Sequence, residues 1–244
     1  MKKRHLVYAI ALIVGMGACA ASAKKQAEAK PDVWKSYNVG TVLFEDKASE
    51  TKGSDIYHRI IPDAESYIKE QARTVLATLY NSPEDSITPV NKIHYTLEDI
   101  EGISAKGGGN GDVTIFYSTR HIEKSFAEND TAKLFFETRG VLLHELTHAY
   151  QLEPQGIGSY GTNRVFWAFI EGMADAVRVA NGGFDGPNAR PKGGNYMDGY
   201  RTAGYFFVWL RDNKDPEFLR KFNRSTLEVI PWSFDGAIKH ILGK

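Results

Sequence analysis

VLLHELTHAYQ, residues 141–151, sets His144, Glu145 and His148 in the spacing H-E-x-x-H. On an α-helix, with about 3.6 residues per turn, positions i and i+4 stack on one face, so the two histidines can grip one metal ion. Glu145 falls at the edge of that face, where a carboxylate can reach a water on the metal without ligating the ion, the place of a general base. Leu142, Leu146 and Ala149 lie at i, i+4 and i+7, and Leu143 and Tyr150 widen this apolar stripe. The helix is therefore expected to be largely buried, where three ionisable side chains are costly unless paired or metallated. The spacing is that of zinc hydrolases, so one Zn2+ ion is the expected cofactor.

A catalytic zinc site takes three protein ligands and keeps one position open. NRVFWAFIEGMADAVRVANGG, residues 163–183, offers the third from a second apolar helical pattern carrying Phe166, Ile170, Met173 and Val177. Asn163 is its expected N-cap, Gly182 or Gly183 its stop. Glu171 and Asp175 are again i and i+4. We assign Glu171 as third ligand and Asp175 as acceptor for a ring N–H of His144, because a ligating histidine needs a partner that fixes its tautomer. The reverse assignment stays open at this stage. Gly172, beside the ligand, is expected to let the two helices approach closely.

GVLLHELTHAYQ, FIEGMADAVR and GYRTAGYFFVWL together resemble the basic secretory protein family, zinc peptidases of plants with bacterial relatives, and more broadly the gluzincin group. The resemblance spans roughly residues 35 to 242 and is sharp between 140 and 210. It implies His144, His148 and Glu171 as metal ligands, Glu145 as base and Asp175 as the histidine's partner. It also implies an α+β, zincin-like fold: an N-terminal mixed sheet with a backing helix, a metal-binding helix at the cleft and a mainly helical C-terminal lobe. In such folds the strand before the metal helix borders the cleft and pairs with an extended substrate. Residues 113–118, with Val113, Ile115 and Tyr117, are accordingly the expected substrate edge. Tyr200, at the G-Y position, is the expected donor to the oxyanion, ahead of Tyr160, Tyr205 and His121.

The 244 residues, 42% hydrophobic and 25% charged, suffice for one globular domain with a sizeable core. Residues 1–23 read as a signal peptide, with Lys2, Lys3 and Arg4, an apolar run from residue 6 to about 14, and Ala21-Ser22-Ala23 as cleavage site. The rival Met16-Gly17-Ala18-Cys19 resembles a relaxed lipobox that would leave Cys19 lipid-bearing, the one route by which a membrane becomes a partner. Either reading places the protein in the periplasm or outside the cell. Cleavage after residue 23 takes three of the 30 basic residues and none of the 30 acidic ones, leaving 27 against 30, so nucleic acid is not an expected partner. Cys19 is the only cysteine, which excludes an intrachain disulfide. Residues 24–36, rich in Lys, Ala and Glu, are the expected flexible lead-in, and 37–244 the metallopeptidase domain.

Elsewhere the patterns are shorter. Residues 41–44 and 92–97 are β-like, 112–117 in DVTIFYS make the clearest strand, and AKGGGNGD reads as the turn before it. Residues 56–80 carry one helical pattern with Ala64, Ile68, Ala72, Val75 and Leu79 on a face and Pro62 in an early turn. EPQGIGSYGTNR and GFDGPNARPKGGN are expected to shape the cleft, 196–212 to form an aromatic helix, and 216–222 and 234–241 to close the fold as short helices. Arg178 is expected in an ion pair.

These residues point to an exported zinc metallopeptidase acting on peptides or proteins. The alternatives are a zinc hydrolase of a non-peptide amide and a non-catalytic metal-containing binding module. The latter lacks an evident fourth ligand for a closed site. Because histidines ligate only when neutral, metal affinity is expected to fall below about pH 6. Oligomeric state is not legible.

Overall fold

Every second side chain of Lys92–Glu98 (β2) and Asp112–Ser118 (β4) is apolar, and Ile93, Tyr95, Leu97, Val113, Ile115 and Tyr117 are all buried on one face. The computed structural model, which describes residues 32–184 and 189–243, lays these strands parallel to each other. Thr41–Asp46 (β1) runs parallel to β2 on one flank, and Ser104–Gly109 (β3) antiparallel to β4 on the other, giving the order β1-β2-β4-β3. The fold is α+β, with this mixed sheet and, among the described residues, eight α-helices.

Two corrections follow for the segment before the metal helix. AKGGGNGD is mostly strand: only Asn110 and Gly111, both at positive φ, turn the chain between the paired Gly109 and Asp112. An Asn-Gly pair is the strongest short signal for such a two-residue hairpin. Consequently β4 is hydrogen-bonded on both sides, and Val113, Ile115 and Tyr117 are core residues rather than a substrate edge. The free edge on this side of the sheet is β3.

Residues 56–80 are two helices, Lys52–Ile60 (α1) and Ala64–Leu79 (α2). Pro62 falls between them because it lacks an N–H and disfavours helix at the residue before it. Asp63 then caps α2 by accepting from the Ser66 N–H. The expected face of α2 is buried and packs on β1 and the metal helix. After the short Thr119–Ser125 (α3), the helix bearing H-E-x-x-H is Thr131–Tyr150 (α4), capped by Asp130. Arg164–Ala180 (α5) starts at Asn163, whose Oδ1 accepts from the Val165 and Phe166 N–H groups, and every residue from 168 to 178 is buried.

The expected aromatic helix over 196–212 is broken at Gly199 into a 3-10 turn, Tyr196–Asp198, and Tyr200–Asn213 (α6). Phe218–Glu228 (α7) and Phe234–Leu242 (α8) follow, and Phe169, Phe207, Phe222, Trp232 and Phe234 pack ring against ring between α5 and these helices. Trp34, inside the stretch read as lead-in, is buried with its edge on Tyr37, so the core reaches into that stretch. The signal-like residues 1–23, Cys19, residues 24–31 and residues 185–188 of the second Gly-rich loop lie outside the described residues. No helix among the described residues is long and apolar enough to cross a membrane.

Gly172 does not separate α4 from α5. It faces α6, where a Cβ would meet the Ala203 Cβ at 2.6 Å and Phe207 at 2.7 Å. Gly204 answers from α6, its missing Cβ lying 2.8 Å from the Ala176 nitrogen. Because backbone cannot step aside as a side chain can, Gly204→Ala is expected to lower stability by about 1–3 kcal/mol. A urea midpoint unchanged from wild type would show that α5 and α6 are not held at this spacing.

Candidate metal centre

His144 and His148 lie one turn apart on α4, and Glu171 faces them from α5. Their Nε2 atoms are 3.1 Å apart, with Glu171 Oε2 at 3.3 Å from the first and 3.7 Å from the second. Ligands of a tetrahedral divalent ion held at about 2.0–2.1 Å are themselves about 3.3–3.4 Å apart. The group could therefore hold a metal ion. A second observation agrees: Glu171 Oε2 is buried without a hydrogen-bond partner, a state that costs several kcal/mol for an ionised oxygen and that a cation relieves.

Each of these three side chains is braced from behind. Asp175 Oδ1 accepts from His144 Nδ1 at 2.7 Å, leaving the His144 Nε2 lone pair turned inward. Glu171 is thus the carboxylate placed among the ring nitrogens and Asp175 the one behind them. The Tyr160 hydroxyl donates to Glu171 Oε1 at 2.5 Å, so only Oε2 faces the histidines. His148 Nδ1 lies 2.8 Å from the side-chain amide of Gln151. A histidine that ligates through Nε2 carries its proton on Nδ1 and needs an acceptor there. Gln151 Oε1 is buried and unpartnered, so turning the amide over satisfies both groups. Gln151 was missed in the sequence, although its place three residues after His148, at the end of the same helix, marks it as within reach.

Burial disfavours a charged His144 ring, but the hydrogen bond to Asp175 and the neighbouring Glu171 carboxylate outweigh it and push its pKa up to about 10. Burial, with the charge on His144, pushes His148 down to about 3. The two rings are thus pushed in opposite directions, His144 toward holding a proton and His148 toward losing one, and a metal would compete with that proton. Competition with protons begins well above the pH 6 expected of unperturbed histidines. Glu145 is buried, which raises its pKa, while the His144 charge, the Ser104 hydroxyl and the Lys106 backbone N–H pull the other way. Its carboxylate thus feels Ser104 and Lys106 of β3 as well as the charges of His144 and Glu171.

The group opens into a cleft of about 990 Å³ that follows α4 from Glu137 to Gln151, with Ser104 and Lys106 of β3 on one wall and Tyr160 and Tyr200 among the residues lining it. Tyr200 begins α6 with its ring nearly parallel to that of His144, centroids 6.1 Å apart. Its φ of 42° is strained for a bulky residue. The preceding Gly199, at φ 67°, sits where a Cβ would meet the Trp167 ring at 2.5 Å, which explains the G-Y pair. The rival donors are engaged: Tyr160 with Glu171, Tyr205 with the Phe184 carbonyl, and His121 with Glu137. Arg178 forms its expected ion pair, 2.6 Å from Glu137.

The model of a family described as BSP, peptidase of plants and bacteria, matches residues 39–244. No curated protein and no solved structure matches the chain.

Metal uptake at about pH 7.5 is expected to release about one proton per ion, read by calorimetry in buffers of different ionisation heat. Asp175→Asn and Gln151→Leu should each weaken binding about 10- to 100-fold in chelator competition. Wild-type affinity in both variants would remove the bracing role assigned to these side chains.

Proposed function

The chain belongs to the BSP family of peptidases of plants and bacteria, and on that premise we propose that it is a zinc-dependent metallopeptidase. The observation that carries this reading is the convergence of His144, His148 and Glu171 beside a buried Glu145, in a cleft bordered by a free strand edge. Two imidazoles and one carboxylate form a donor set suited to catalytic zinc. Bound there, zinc would supply Lewis-acid polarisation of the scissile carbonyl and acidify a water.

The chain's own groups do the rest. Glu145 takes the proton of the attacking water and passes it to the leaving amine, and its raised pKa suits it to hold that proton between the two steps. The Tyr200 hydroxyl, which has no protein partner among the described residues, donates to the developing oxyanion. Burial raises the Tyr200 pKa and keeps that donor protonated. The β3 backbone, rather than β4, pairs with an extended substrate. Edge strand, metal helix and second ligand helix in this order support the zincin-like reading. An open cleft suits a peptide or protein better than a small amide, and a pure binding module would leave Glu145 buried to no end. Export rests on the basic, apolar and A-x-A succession of residues 1–23.

With a mixture of unfolded proteins as substrate, wild type is expected to create new peptide ends, to lose this activity to EDTA and to regain it with zinc. Glu145→Gln should keep its zinc and lose about 10²- to 10⁴-fold in kcat. Tyr200→Phe should lose about 10²- to 10³-fold in kcat with little change in KM. Cleavage indifferent to EDTA, or undiminished in Glu145→Gln, would sink the mechanism.

A further inference from the structure

The Glu137 end of the cleft carries features that metal chemistry does not use. Phe184 lines it with a φ of 57°. Among the described residues, the other non-glycines at positive φ are Asn110, in its hairpin turn, and Tyr200, on the same cleft wall. The Phe184 conformation is held from three sides. The Arg178 guanidinium lies 3.9 Å over its ring, that of Arg201 5.5 Å over it, and the Tyr205 hydroxyl donates to its carbonyl at 2.7 Å. A strained bulky residue kept in place by several contacts is characteristic of a ligand wall.

The two arginines differ in what their charges face. Arg178 is buried and paired with Glu137, whose other oxygen lies 3.1 Å from His121 Nε2. Arg201 is exposed to the cleft and has no acidic partner among the described residues. The opposite end of the cleft presents an acid, Glu153. A guanidinium resting near an aromatic ring keeps its N–H fork available for a planar, two-oxygen acceptor.

Resting on the peptidase reading, we propose that Arg201, against the Phe184 wall, receives a carboxylate of the substrate and so sets cleavage-site preference. Glu137 precedes His144 by seven residues, about 10 Å along the helix, and an extended peptide advances about 3.3 Å per residue. The carboxylate belongs two or three residues from the cleaved bond, on one side only. It is either an Asp or Glu side chain or the terminal carboxylate of a short peptide.

The test measures binding in zinc-loaded Glu145→Gln. Peptides of one neutral sequence carry Glu or Gln at successive positions, each with a free or an amidated C-terminus. One Glu position, or the free terminus at that distance, is expected to bind about tenfold tighter than its neutral counterpart, with the gap narrowing in high salt. Arg201→Gln added to this background should bring the ratio near one, and Arg201→Glu should invert it in favour of Lys. Lys214→Gln, an equal charge change outside the cleft, should leave it as it was. Equal binding of Glu and Gln peptides, or a preference that survives Arg201→Gln, overturns the proposal. Charge-selective binding together with a wild type that cleaves nothing would leave the subsite standing and remove the peptidase reading.

Discussion

A carboxylate oxygen buried between two imidazole nitrogens, with no hydrogen bond of its own, is the constraint to which the rest of this fold answers. Glu171 Oε2 has that position, 3.3 and 3.7 Å from the two Nε2 atoms, and makes no hydrogen bond among the described residues. An ionised oxygen in such surroundings persists only where the groups around it cannot retreat. His144 is fixed by Asp175, His148 by Gln151, and the second oxygen of Glu171 by Tyr160. His144, His148 and Glu171 are thus held at a spacing that could take a metal ion.

Holding that arrangement demands that α4 and α5 keep their register, and α5 is clamped for the purpose. All its sides are buried from residue 168 to 178, with α4 on one flank and α6 on the other. The glycines of the α5–α6 contact bring the two backbones close enough that neither can rotate independently. Arg178 adds a polar tie to α4, its guanidinium lying where a side chain on Gly140 would be. The helix that carries Glu171 is therefore tightly held on both flanks, as preorganisation of a metal site would require.

The sequence disclosed most where local periodicity and chemistry coincide. H-E-x-x-H and E-x-x-x-D are statements about single helices, so His144, His148, Glu171 and Asp175 were legible, and Asn163 announced the start of α5. What failed depended on partners distant in the chain. β4 looked like an edge because its alternation was clean, yet alternation reports one buried face and says nothing of who bonds its sides. β3 was hidden because Ser104–Gly109 is half glycine, and only the Asn110-Gly111 pair betrayed a hairpin. Gly172 is a point of close approach, as its place beside Glu171 suggests, but to α6 and not to α4, since a helix pattern names a face without naming what covers it. Gln151 escaped because a side-chain amide is chemically unremarkable until its buried oxygen is seen without a donor.

The division of parts around the cleft has a consequence for what can vary. The candidate metal-holding side chains and Glu145 come from α4 and α5, which are buried and interlocked. The surfaces a substrate would touch come from β3, from the loop bearing Tyr160, and from Phe184, Tyr200 and Arg201. Backbone strain falls in the last of these, at Phe184 and Tyr200, and not on the ligand helices. Strain of about 1–3 kcal/mol per residue is tolerable there because tertiary contacts hold each ring, whereas the same distortion in α4 would shift a ligand. Exchange of side chains on these walls can thus alter which chains are bound while leaving the ligand geometry intact, so the fold separates what it recognises from how it would cut.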